Sequence, residues 1–140
     1  MECIQSLDLD IKMVFGMKVE TVDMIKLDID KKRIDYMRFE SVMRVLKRHG
    51  IKVEWIKAYQ TNKGYHVYIK INSIAEVYLY FVQLLLGSDW KRELLNFDRY
   101  LKGVPTEENN ILFSEKYEEG KKKSKERFDM RVTEKLLNLI

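Results

Sequence analysis

The hydrophobic period of this chain changes twice between Val22 and Ile71, from two to 3.6 and back to two, and that order leaves few folds open. Residues 22–30, VDMIKLDID, alternate so that Ile25, Leu27 and Ile29 fall on one face and Lys26, Asp28 and Asp30 on the other, as in a half-buried strand. From Tyr36 the spacing is helical. Phe39, Val42, Met43 and Leu46 form a stripe, Lys47 and Arg48 suit the negative end of the helix dipole, and Gly50 suits the position just past it. Alternation returns over 51–60, with Ile51, Val53, Trp55 and Tyr59 on one side, and Thr61, Asn62, Lys63 and Gly64 supply turn chemistry. In the strand that follows, Tyr65, Val67, Ile69 and Ile71 face the core, while His66, Tyr68 and Lys70 face away.

Ser73 and Glu76 have capping-box spacing and predict a helix through Val77, Phe81, Leu84 and Leu85 to Gly87. Ser88 is placed to cap a further helix from Asp89 to about Leu101, stopped by Gly103 and Pro105, and residues 110–116, NILFSEK, read as a short strand. The expected class is α+β, with the β-α-β-β-α-β order of ferredoxin-like and RNA-recognition-motif-like folds. That order implies a four-stranded antiparallel sheet with helices on one face, an extra helix before the last strand and a C-terminal helix. Its first and third strands would be central neighbours, and the face away from the helices would be open. The segment up to Thr21 is a candidate edge strand.

A length of 140 residues suits one domain. Within it, 22–116 is the expected core, 117–127 a basic linker around GKKKSK, and 128–140 an amphipathic helix whose Met130, Leu136, Leu137 and Ile140 pack on the domain or on a partner. The apolar share of 46% supports a core, and the charged share of 34% makes a strongly charged surface. The uncharged run 77–87 is far shorter than the roughly 20 residues of a membrane span, and no leader pattern opens the chain, so a cytoplasmic protein without a membrane partner is expected. One cysteine, Cys3, and two histidines leave neither an internal disulfide nor a cysteine–histidine zinc cage, so any metal must sit on carboxylates. The net charge of +4 is compatible with polyanion binding. Abundant Lys, Glu, Ile and Tyr also lean toward the composition of thermophile proteins.

Asp28 and Asp30 project from the same strand face, and two parallel carboxylates need positive charge between them. That charge is either a hard divalent cation or the neighbouring Lys31, Lys32 and Arg33. Asp8 and Asp10 repeat the spacing, but no comparable apolar run precedes them and no helix follows. His66, on the neighbouring strand, points to the face of Asp28 and Asp30; it follows Gly64, which allows close backbone approach, and lies near Lys63 and Lys70. Carboxylates beside a donor-bearing cationic edge suit a nucleoside triphosphate with magnesium or manganese. Asp98, after Phe97 and close to Arg92 and Arg99, is the candidate third carboxylate, with an exposed helix charge as its other reading.

Three motifs together resemble the archaeo-eukaryotic primases and the related primase-polymerases of archaea and their plasmids and viruses. The motifs are MIKLDID with Asp28 and Asp30, GYH with Gly64 and His66, and FD with Phe97 and Asp98, in that order; LGSDWKRELLNFDRY followed by NILFSEK extends the likeness. The resemblance covers about 22–116 and corresponds to a minimal catalytic core, because the family usually has an α/β module ahead of its first motif. It implies that Asp28, Asp30 and Asp98 hold Mg2+ or Mn2+ and that His66 contacts the triphosphate, with Arg92 as a further phosphate contact; Lys63, on the cationic edge beside His66, is a nucleotide-binding candidate by its position. The implied activity is metal-dependent nucleotidyl transfer in DNA replication on a primer or template, with a replication protein as a partner. A non-catalytic nucleic-acid-binding module, stacking bases on Trp55, Tyr59 or Tyr68, a metal-dependent nuclease, and a structural or regulatory partner of a replication complex are the alternatives.

Overall fold

The computed structural model of the chain describes residues 20–118 and 120–140. Cys3, the pair Asp8 and Asp10, and the expected N-terminal edge strand lie outside them. The elements are β1 (Thr21–Ile29), α1 (Tyr36–Arg48), β2 (Val53–Gln60), β3 (Tyr65–Ala75), α2 (Glu76–Leu85), α3 (Trp90–Leu101), the single turn α4 (Thr106–Asn109), β4 (Glu115–Glu118), β5 (Lys121–Lys125), β6 (Arg127–Phe128) and α5 (Met130–Leu137). An antiparallel four-stranded sheet in the order β1-β3-β2-β6, with helices packed on it, gives an α+β, ferredoxin-like architecture.

The alternation expected of β1 and β3 is realised. Ile25, Leu27 and Ile29 meet Val67, Ile69 and Ile71 in one core, with Phe39, Met43 and Leu46 of α1, Leu79 and Val82 of α2, and Val132 and Leu136 of α5. Asp35 caps α1 by accepting from the Arg38 N–H at 3.1 Å. The chain leaves that helix through Gly50 at φ 94°, the left-handed conformation that glycine adopts without strain.

Four details depart from the expectations. The pairing of β2 with β3 shifts between Val53 and Trp55, so Ile56 and Ala58 are buried and Trp55 and Tyr59 turn to the opposite face; one irregular residue reverses the side-chain phase of the strand. Ser73 opens no helix, because β3 continues to Ala75, where the ladder with β1 pairs Thr21 with Ala75 and Val22 with Ile74. Residues 110–114 form no strand; 115–118 pair instead with 121–125, so the basic run is half of a hairpin and not a linker. The fourth strand of the sheet is β6, which pairs with β2 through Tyr59 and Gln60.

The outer edge of β1 is closed by the α2–α3 junction. The Lys26 N–H donates to Gln83 Oε1 at 2.9 Å and the Asp28 N–H to Ser88 Oγ at 3.0 Å. The Lys26 carbonyl accepts from Arg92 at 3.2 Å, and the Asp28 carbonyl from the Asp89 N–H at 2.7 Å. Ser88 therefore turns inward, and Asp89 becomes the N-cap of α3. At the other side of the sheet, Ala58 donates to Thr133 Oγ1 and accepts from the Asp129 N–H, both at 2.9 Å, which seats α5 beside β2.

Candidate functional site

Asp28 and His66 are directly opposed in the β1–β3 register, on the sheet face away from the core. Their side chains approach to 3.6 Å between Oδ1 and Nε2. The approach depends on Gly64, where an added Cβ would stand 1.9 Å from the Ile29 carbonyl oxygen and 2.6 Å from that of Lys31. The β2–β3 turn thus rests its backbone on the end of β1.

The other ring nitrogen of His66, Nδ1, is 2.8 Å from Glu126 Oε2, and the Tyr68 hydroxyl donates to that oxygen at 3.0 Å. An ionised carboxylate only accepts, so the hydrogen-bond pattern assigns the proton to Nδ1. Tyr68 holds its own proton firmly, since burial first and the Glu126 charge second push its pKa well above the ordinary phenol value. His66 is 5% exposed, whereas the Asp28 side chain keeps 37% of its surface and is the accessible carboxylate of the pair. Tyr59, directly across from His66, meets both Tyr68 and Phe128 edge-on at 5.5 Å.

A cleft of about 340 Å3 opens beside this pair. One wall is a stripe of α3, Arg92, Leu95, Asn96 and Arg99, at the spacing that keeps residues on one helix face; Glu108, Asn109 and 111–113 form the other, so the cleft carries two arginines and a second carboxylate besides Asp28. Arg92 is held by the Lys26 carbonyl, Asn110 Oδ1 at 2.8 Å and the carboxylate of Glu93. Glu93 is almost fully buried, and burial raises its pKa against the opposing pull of Arg92, Ser88 and Gln83. Burial and the neighbouring Arg92 lower the pKa of Lys26. Among the described residues the Arg99 guanidinium makes no hydrogen bond or ion pair, so it is an uncommitted cation on the cleft wall.

Of the residues singled out from sequence, Asp28, His66 and Arg92 share this cleft. Lys63 sits exposed on the β2–β3 turn and does not line it. Asp30, one residue past β1, lines a separate groove of about 300 Å3 with Arg33, Arg38 and Asp89. Asp98 falls outside the cleft stripe of α3 and pairs with Lys102 at 2.8 Å, its side chain 54% exposed. The helical period gives the cleft position to its neighbour Arg99, while Phe97 packs against Tyr80 and Phe81. Among the described residues no three His, Cys, Asp or Glu side chains are grouped to hold a metal ion. Glu126 has no signal in the sequence, because it closes a lysine-rich run and meets His66 across 60 positions. No family model, curated protein or solved structure matches the chain.

Proposed function

We propose that this chain takes a nucleoside triphosphate into the cleft between the sheet face and α3 and is a nucleotidyltransferase of the primase-polymerase type, acting in DNA replication on a nucleic-acid primer or template. The observation that carries the reading is the pairing of Asp28 with His66 at the mouth of a cleft walled by two arginines. Arg92 and Arg99 would draw in the phosphates, with the planar guanidinium donors that suit phosphate oxygens. His66, with its proton on Nδ1, turns an acceptor to the cleft and would meet the cation or a hydroxyl of the nucleotide.

The donors fit a divalent cation that arrives on the triphosphate, since magnesium is commonly held by one or two carboxylates plus substrate phosphates. Asp28 would be its protein ligand, and the cation would offset phosphate charge. Of the three carboxylates singled out from sequence, only Asp28 lines the cleft, since Asp30 lines the neighbouring groove and Asp98 pairs with Lys102. That placement favours a second reading, a nucleic-acid-binding module without transfer chemistry.

Extension of a labelled primer with Mg2+ or Mn2+ separates the readings. The expected result is primer growth by the wild type and loss of growth in Asp28→Ala at an unchanged melting temperature. Undiminished growth in that variant removes Asp28 from the site. Salt-sensitive binding of DNA without growth establishes the module, and release of mononucleotides establishes a nuclease.

A further inference from the structure

The motifs of the chain do not account for Glu126. It is a carboxylate with only 12% of its side chain exposed, and burying such a group is costly unless its oxygens are hydrogen-bonded. Here they are bonded to two donors, His66 Nδ1 and the Tyr68 hydroxyl. The backbone around Glu126 is pinned as well. Its own N–H donates to the Ser114 carbonyl at 2.7 Å, Arg127 and Phe128 enter the ladder with β2, and the Asp129 N–H bonds the Ala58 carbonyl. Little freedom is left for the carboxylate to move away from the ring.

We propose that Glu126 is the positioning residue of His66: it keeps a proton fixed on Nδ1 and so presents the Nε2 lone pair to the cleft, where the cation or a hydroxyl of a bound Mg·nucleoside triphosphate would meet it. The ligand in this inference rests on the triphosphate reading above, but the tautomer does not. At 3.6 Å from Asp28 Oδ1, Nε2 is beyond good hydrogen-bond distance and remains open to a ligand atom. A carboxylate behind a metal-binding histidine fixes both the tautomer and the ring orientation, and loss of such a partner typically costs about 10- to 100-fold in metal affinity or activity.

The test is 15N spectroscopy of the two ring nitrogens, read on the alkaline plateau of a pH series, alongside calorimetric titration with Mg·ATP. His66→Asn assigns the signals, since His49 is the only other histidine. The wild type should carry its proton on Nδ1. Glu126→Ala should shift the ring toward the Nε2–H form that an unconstrained histidine side chain favours and should loosen Mg·ATP by about tenfold or more. Glu126→Gln, whose amide oxygen still accepts from Nδ1–H, should keep the tautomer and most of the affinity. A wild-type ring protonated on Nε2, or an unchanged tautomer in Glu126→Ala, overturns the role of Glu126. A tautomer that responds as expected in a protein that binds no Mg·ATP overturns the triphosphate reading and leaves the positioning role standing.

Discussion

A methyl group at residue 64 would lie inside the van der Waals radius of the Ile29 carbonyl oxygen, which is backbone and cannot rotate aside. Gly64→Ala should therefore cost about 2–3 kcal/mol or more in denaturant unfolding and should weaken the Asp28–His66 site with it. The facing of Asp28 and His66 was legible because a period of two fixes the face of every strand residue and the β-α-β-β-α-β order makes the first and third strands neighbours. The outward placement of Asp98 was not legible, because neighbouring residues on a helix lie about 100° apart and the sequence does not state the rotation of α3 about its axis. Glu93 carries a pH prediction. Its folded-state pKa is raised by burial above the unfolded value near 4.3, so the folded state binds the proton more tightly than the unfolded state. The stabilising effect of protonation is fully present below the unfolded value and is lost as pH rises through the folded one. Relative to wild type, Glu93→Gln should show a flatter dependence of melting temperature on pH upward from about pH 4.

The satisfied outer edge of β1 explains why the fourth strand lies elsewhere. A free strand edge invites another strand, but side chains and backbone of the α2–α3 junction already satisfy the Lys26 and Asp28 amide and carbonyl groups. Asn110, where a strand was expected to begin, is buried and bonded in both directions to Gln83 and also to Arg92. None of these partners is announced by periodicity, since Gln83, Ser88 and Arg92 look in sequence like ordinary polar residues on and between two helices. Gln83→Leu would strand the Lys26 N–H together with polar groups of Asn110 and Glu93. It should destabilise the fold by about 2–4 kcal/mol. Amide exchange at Lys26 and Asp28 should accelerate more than at Ile69 in the centre of the sheet, and equal acceleration at all three would argue against a local edge clamp.

Among the described residues the helices close one face of the sheet, side chains close the β1 edge and α5 packs beside β2, while the Asp28–His66 cleft opens beside α3. Arg99 tests that opening without disturbing the fold, because it is exposed and holds nothing together among the described residues. Arg99→Ala should leave unfolding unchanged while loosening Mg·ATP by about tenfold, the worth of one charge-assisted hydrogen bond. The most direct measurement of the site is the response of backbone and side-chain resonances of 15N-labelled wild-type protein to added Mg·ATP. Saturable shifts centred on Asp28, His66, Arg92 and Arg99 are the predicted result. Shifts confined to residues remote from the cleft, such as Glu54 and Asn72, or no shifts at all, would contradict a triphosphate site in this cleft.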